Sequence, residues 1–341
     1  MKQKKVTFAD IAAYTGFSKT TISRYFNNPD SLTLENQEKI AHALDVLGYQ
    51  ENKLAKVLAN GKSEFVGIII PNLYLHYYSE MLNQLLSTYE KYNYKFLVFI
   101  GNNKKEIEEK YIHELMAYKI EGLIVLSNTI SSEELASYKL PVVTIERECD
   151  HVCSVSTDNY LGGVQATSLL IRNKCDVILH INSIFPDTLP TYGRIRGFED
   201  ICNEYHVVHE LIQRNLGNTY QETLTQLKNI FNEIEEKYPS QKKGVFLAND
   251  TYASMFLNLI FQKYGKLPKD YQIVGFDDSP IASEAILPIT TVGQQIEKIA
   301  QTAMELLVLQ MNEMKKRKPA PLKEPVHKQI TPVLIRRNTT D

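Results

Sequence analysis

Residues 10–28 read DIAAYTGFSKTTISRYFNN. Ile11 and Ala12 open an apolar helical face, Gly16 breaks it, and Ser18 then stands where a helix N-cap belongs. Ile22 and Phe26, four apart, share one face of the helix that follows. A third helix is predicted downstream, with Thr33 as its cap, Ile40, Ala43, Leu44 and Leu47 as its stripe, and Gly48 as its end. Three short helices with a common apolar side make a head of about 50 residues, a size that is only marginally stable by itself. Gly16 allows a tight reversal between the first two helices. With Ile22 and Phe26 turned inward, Lys19, Thr20 and Arg24 project from other faces of the second helix. That arrangement carries donors into a DNA major groove with the Ser18 end at a phosphate, although a merely solvated face has the same pattern.

The head begins a chain of 341 residues that is 43% apolar and 23% charged, long enough for two or three domains. The formal net charge is -2, but residues 1–63 hold nine Lys/Arg against six Asp/Glu, so the head carries +3 and the remainder -5. MKQKKV is followed by TFADIAAY with no continuous apolar run, which reads as a cytoplasmic protein without an export signal. The apolar runs FVGIII and GLIVL are far too short to span a membrane and fit buried strands. Cys149, Cys153, Cys175 and Cys202 have no metal-ligand spacing and read as free thiols; no cofactor is expected.

From Phe65 onward strands and helices alternate. FVGIIIP, YKFLVFI, GLIVLS and PVVTI read as strands, with helices near Ser79–Tyr92, Lys105–Lys119 and Ser132–Tyr138. A second series runs through DVILHI, a helix near Arg194–Tyr205, a strand around Val207–Leu211, a helix around Tyr220–Lys237, GVFLAND, a helix to Tyr264, and YQIVGFDD. Two such series predict two similar α/β lobes with parallel sheets covered on both faces, divided near Asp158–Gly163. ITTVGQQ, a helix from Ile296 to Met314 and the strand-like HKQITPVLIRR complete the chain.

The stretches VTFADIAAYTGFSKTTISRYFNN and LTLENQEKIAHALDVLGYQENKLAKVLANGKSEFVGIIIP resemble the head, hinge and first core strand of the LacI/GalR family of bacterial transcription regulators. The resemblance continues in order along nearly the whole chain. It implies an all-α helix-turn-helix DNA-binding head at 1–51, a hinge helix and linker at 52–63, and a two-lobed periplasmic-binding-protein-like core at 64–341. Lobe one is expected at about 64–160 plus 291–320, and lobe two at about 161–290 plus 321–341. Lys19, Thr20 and Arg24 match the family's base-reading positions, and Arg24 offers a bidentate pair suited to guanine. Thr7, Ser18, Thr21 and Asn27 match positions that touch the DNA backbone or place the helix. In the hinge, Leu58 matches the leucine pushed into the minor groove, with Ala55 beside it and Lys56 near phosphates. Glu51 stands where many relatives have proline.

The same resemblance places an effector in the cleft between the lobes, near the C-terminal ends of strands. Arg194, in YGRIRGF, lies close to the family's R-x-x-G pattern, and Asn249 and Asp277 follow GVFLA and YQIVGF; all three match hydrogen-bonding positions for the effector. Asn249 and Asp250 also read as caps of the next helix, Asp278 as a structural residue, and Arg194 as a partner for Glu199 or Asp200. Where relatives have a D-x-x-N-P-F-type stretch, this chain has NLYLHYYSE, which makes Tyr74 and Tyr77 pocket candidates through aromatic stacking on a sugar. Arg147, in TIERE where relatives read D-R, is another candidate contact.

The expected protein is a homodimer that holds a pseudopalindromic operator and whose core closes around a small metabolite, in the commoner family behaviour a sugar that relieves repression. The chain stops at VLIRRNTTD with no heptad segment after it, which reads as a dimer rather than a tetramer. A stand-alone sugar-binding protein fits the core equally well but does not account for the head. No G-x-S-x-G, phosphate loop, G-x-G-x-x-G or metal-ligand run argues for an enzyme, and His180 and His206 read as surface residues.

Overall fold

The computed structural model describes residues 6–50, 63–147, 150–318 and 324–341. The chain divides into two compact units, Met1–Lys62 and Ser63–Asp341. In the first, α1 (Phe8–Thr15) ends at Gly16 with φ 74°, α2 (Lys19–Asn27) follows, and α3 (Leu34–Leu47) ends at Gly48 with φ 62°. Both glycines sit in the left-handed region that side chains disfavour. Ser18 and Thr33 cap α2 and α3 by accepting hydrogen bonds from the Thr21 and Asn36 amides. Ile11, Ile22, Ile40 and Ala43 are fully buried at the centre. Phe8, Phe26 and Tyr49 close one side, with Phe8 stacked on Phe26 at 5.3 Å.

The second unit runs β1 (Phe65–Ile70), α4 (His76–Ser87), α5 (Tyr89–Tyr92), β2 (Lys95–Ile100), α6 (Lys105–Ala117), β3 (Gly122–Val125), α7 (Ser132–Ser137), β4 (Val142–Ile145) and β5 (Cys153–Thr157). It continues with α8 (Asn159–Arg172), β6 (Val177–Ser183), α9 (Gly193–Glu204), β7 (Val208–Arg214), α10 (Tyr220–Lys237), β8 (Lys243–Leu247), α11 (Asp250–Tyr264), β9 (Tyr271–Asp277), α12 (Pro280–Glu284) and β10 (Thr290–Gly293). Last come α13 (Ile296–Met314), β11 (His327–Ile330) and β12 (Val333–Ile335).

The strands form two six-stranded sheets, ordered β11-β5-β4-β3-β1-β2 and β12-β10-β9-β8-β6-β7. Every pairing is parallel except that of β12 with β10. Helices cover both faces of each sheet, so the central strands β1, β3, β4, β8 and β9 are buried along most of their length, as the unbroken apolar runs require. The chain passes between the lobes at 157–159, again at 294–295 and again at 331–332. Those passages are tied to one another: Thr157 Oγ1 donates to Gln294 Oε1 at 2.7 Å, Gln295 Nε2 to the Thr331 carbonyl at 2.5 Å, and the Asp158 amide to the Ile330 carbonyl at 2.9 Å.

Two boundaries differ from the sequence reading. HKQITPVLIRR, assigned whole to lobe two, is two strands: β11 pairs beside β5 in the first sheet and β12 beside β10 in the second. Pro332 has no amide to continue a ladder, and the chain changes sheets there. β10, whose end was assigned to lobe one, is an inner strand of the second sheet, next to β9. His180, read as a surface residue, is fully buried and stacked on Phe246 at 4.3 Å, because a strand covered on both faces has no solvent side.

Candidate functional site

On the head, Lys19, Thr20 and Arg24 are exposed on α2, and neither Lys19 nor Arg24 has an ion-pair or hydrogen-bond partner among the described residues. The Ser18 hydroxyl is held between the Thr21 amide at 3.1 Å and the Thr21 hydroxyl at 2.9 Å, which fixes the start of α2. Thr7 donates through both its amide and its hydroxyl to the Asp10 carboxylate, at 2.8 and 2.7 Å, setting the first turn of α1. Asn27 bridges to Ser23 Oγ at 3.1 Å. The helix therefore presents free cationic donors on a frame whose short polar residues are engaged in building it. Ala55, Lys56 and Leu58, together with Glu51, lie outside the described residues.

Between the two sheets of the second unit lies a cavity of about 190 Å³, walled by Tyr77, Tyr78, Glu146, Asn182, Arg194, Asn249, Tyr252, Asp277 and Gln294 with apolar neighbours. Arg194 lines it, almost wholly buried. Its Nε donates to Asn159 Oδ1 at 2.8 Å, its Nη1 to the Ala248 carbonyl at 2.6 Å, and its guanidinium lies 3.6 Å above the centre of the Phe276 ring. Asn159 Nδ2 donates in turn to Glu146 Oε2 at 2.8 Å, and the Thr157 amide donates to Glu146 Oε1. Gln294 Nε2 donates to Asp277 Oδ1 at 2.5 Å, and Arg194 Nη1 stands 3.9 Å from the same oxygen. Glu146, Asn159, Arg194, Asp277, Gln294 and Thr157 thus close a ring of polar contacts that includes residues from two of the passages between the lobes.

Local sequence explains why Arg194 lands there. A Cβ on Gly163 would lie 2.4 Å from the Arg194 carbonyl, and one on Gly197 would lie 2.4 Å from the Tyr160 carbonyl and 2.8 Å from the Val164 amide. Only glycine lets α8 and α9 approach so closely, and that approach puts Arg194 against Asn159 at the start of α8. The backbone is strained at the same place: Glu146, Asp277 and Asp278 have φ of 54°, 112° and 55°, and Gln295 has 58°.

The electrostatics follow from burial. Asp277 is raised well above the usual carboxylate range by burial; the Arg194 charge opposes this, while Asp250 and Glu146 add to it. Asp250, at the start of α11, is pushed up to about 7 by burial even though Thr291 Oγ1 donates to it at 2.6 Å and the Ser279 amide at 2.8 Å. Burial and then the Glu146 and Asp277 charges raise Tyr77, whose hydroxyl has no hydrogen-bond partner among the described residues and stays protonated. His180 is pushed down to about 3 by burial and is neutral; one ring nitrogen lies 3.0 Å from the Phe246 carbonyl and the other 3.3 Å from Asn182 Nδ2, which orients that amide at the cavity wall.

Of the sequence-predicted effector residues, Tyr77, Arg194, Asn249 and Asp277 line this cavity. Asn249 is at the same time the N-cap of α11, accepting from the Tyr252 amide at 2.8 Å. Arg194 pairs with neither Glu199 nor Asp200; the latter accepts from Tyr160. Two candidates need correction. Arg147 does not reach the cavity: its guanidinium donates to the Ser127 and Ile130 carbonyls, and the neighbouring Glu146 takes the wall, as successive side chains at a strand end diverge. Tyr74 is outside the lining and stands beside Tyr252. Glu146, Tyr78, Asn182 and Gln294 were missed, although Glu146 and Asn182 occupy the C-terminal ends of β4 and β6, where α/β sheets place ligands. Asp278, read as structural, pairs with Arg337 at 2.6 Å.

The family model described as "Bacterial regulatory proteins, lacI family" matches residues 7–52, and the "Periplasmic binding protein-like domain" model matches residues 168–340, half of the chain. The chain belongs to the LacI family. It is similar to the sucrose operon repressor of Streptococcus mutans, 26% identical over 303 residues that cover 88% of this chain and 91% of that protein. It shares the fold of the lac repressor dimer bound to operator and the anti-inducer ONPF, with a TM-score of 0.81, 21% identity and 99% of each chain covered. A LacI transcriptional regulator of Alkaliphilus metalliredigens, solved with D-xylulofuranose, is 26% identical with a TM-score of 0.68, over 82% of this chain and all of that one. As a LacI-family protein the chain is a sequence-specific DNA-binding transcriptional regulator. No group of His, Cys, Asp and Glu able to hold a metal occurs among the described residues, and no helix among them is long and apolar enough to cross a membrane.

Proposed function

We propose that the protein is a homodimeric repressor whose two heads hold the half-sites of a pseudopalindromic operator, and that a sugar bound in the core cavity lowers its operator affinity. The observation that carries the reading is the pairing, in one chain, of the exposed Lys19–Thr20–Arg24 surface, whose side chains have no partner among the described residues, with a small polar cavity built across the passages between two lobes. The cavity offers what vicinal hydroxyls need: a fixed guanidinium, the second carboxyl oxygen of Asp277, amides from Asn182 and Asn249, and the Tyr77 and Tyr78 rings. Its 190 Å³ falls below the ~300–1,000 Å³ of pockets for drug-sized ligands, which suits a compact metabolite. D-xylulofuranose, the sugar in the Alkaliphilus structure, is of this class.

Coupling requires the sugar to bind one lobe angle better than another. The polar ring supplies the means, because a ligand that engages Arg194, Asp277 or Glu146 bears on side chains bonded to the residues at the passages. In the hinge, Leu58 takes the part of the minor-groove wedge and Ala55 and Lys56 flank it, so Leu58→Ala is expected to weaken operator binding while leaving the core folded. The test is operator affinity of the full chain, measured by fluorescence anisotropy on a selected DNA site with and without ribose, fructose, sucrose and glucose. A several-fold weakening by at least one sugar is expected; affinity indifferent to all of them contradicts the proposal.

A further inference from the structure

The acid–base make-up of the cavity is one-sided. Tyrosines apart, its ionisable lining residues are Glu146, Asp277 and Arg194, two carboxyl groups against one guanidinium. That guanidinium is already engaged by Asn159, the Ala248 carbonyl, Asp277 and the face of Phe276. Among the described residues no lysine, histidine or second arginine lines the cavity. At the N-terminus of α11 the Tyr252 amide is already taken by Asn249 Oδ1 at 2.8 Å. Behind the wall Asp250 adds a further carboxyl, buried and raised by burial. Asp277 Oδ2, by contrast, accepts no hydrogen bond among the described residues and is open to a ligand's hydroxyl.

Resting on the sugar reading above, we propose that this site takes sugars bearing no phosphate or carboxylate and rejects their anionic counterparts. A phosphorylated or acidic sugar must bring negative charge into a site that already holds two carboxyl groups, whose one guanidinium is engaged and whose described lining offers no second cation to receive it. An uncharged sugar instead shares hydroxyl hydrogen bonds with the Asp277 carboxyl and gives a partner to the Tyr77 hydroxyl, which has none among the described residues. The discrimination lies in the chemistry of the side chains as well as in cavity size, and this separates it from simple exclusion of a larger molecule.

The experiment is calorimetric titration of the full-length protein with matched pairs: D-ribose and ribose 5-phosphate, D-fructose and fructose 6-phosphate, D-glucose and either glucose 6-phosphate or gluconate. In whichever pair binds, the neutral member is expected to bind at least about a hundredfold more tightly, since like charges brought together at a buried site cost several kcal/mol. A phosphorylated or acidic member binding as tightly as its neutral partner overturns the inference and leaves the sugar reading standing. If no member of any pair binds, the sugar reading fails and the inference falls with it. Glu146→Gln keeps an acceptor for the Thr157 amide while removing a carboxylate from the wall, so the neutral-to-anionic ratio is expected to fall about tenfold. An unchanged ratio would assign the selectivity to shape and overturn the charge account.

Discussion

Gly197→Ala separates two opposite expectations. In an ordinary helix interior, glycine to alanine stabilises by about 0.8–1 kcal/mol through propensity alone. Here the added Cβ would meet the Tyr160 carbonyl at 2.4 Å and the Val164 amide at 2.8 Å, both backbone atoms that cannot swing aside. Restoring ordinary contact near 3.5 Å parts α8 from α9 by about 1 Å, an overpacking strain of about 1–3 kcal/mol. A shift of that size lengthens the 2.6 Å bond from Arg194 to the Ala248 carbonyl beyond hydrogen-bonding range, and a charged hydrogen bond is worth about 1.5–3 kcal/mol. The sum, less the propensity gain, is a net loss of about 2–5 kcal/mol, together with weaker effector binding. Urea unfolding of the full chain followed by near-ultraviolet circular dichroism reads the first, and sugar titration the second. A variant as stable as the parent with unchanged sugar affinity would refute the idea that glycine is required for this helix approach and for the placement of Arg194.

On the head, Arg24→Ala is expected to weaken binding to a selected operator by about 1–3 kcal/mol while non-specific binding falls less, as competition titrations at fixed salt will read. Equal losses on both would make Arg24 a phosphate contact. Ser18→Ala removes the acceptor for the Thr21 amide and is expected to cost about 1 kcal/mol of head stability, whereas Ser18→Gly costs only a few tenths; thermal unfolding of the two variants compares them. Asp250 has a folded pKa of about 7, above its unfolded value near 3.9, so the native core holds that proton more tightly. Its contribution to stability is therefore complete below about pH 3.9 and is lost as pH rises through about 7. Asp250→Asn removes that component, so the parent's advantage over the variant in urea unfolding should shrink from pH 4 to pH 8; a constant difference would contradict the assignment.

The local features were legible because they depend on neighbours in sequence. Gly16, Ser18, Thr33 and Gly48 mark helix ends by backbone geometry and capping, and each sits where the sequence reading put it. Most strands of both series were equally plain, since buried parallel strands are unbroken apolar runs; β5, whose CSVST is too polar for such a run, was not read, nor was α8 after it. Which sheet a late strand joins was not legible, because β11 and β12 are similar short segments and only tertiary pairing separates them. For the same reason the ring partners Asn159 and Gln294 escaped: each lies in a passage between lobes, far in sequence from Arg194 and Asp277, and nothing in its own neighbourhood reveals the contact. Arg147 was preferred over Glu146 on its chemistry alone, and the direction of the two side chains at the end of β4 reversed that choice.

The central claim is that α2 reads DNA sequence and the cavity controls that reading. It is tested most directly by selecting bound duplexes from a random pool with the full-length protein, beside a Lys19→Ala/Arg24→Ala variant, and eluting each with an uncharged sugar panel. The account predicts a recurrent pseudopalindrome for the parent, its loss in the variant, and release by at least one sugar. Enrichment of no common site, or of the same site by both proteins, would contradict it.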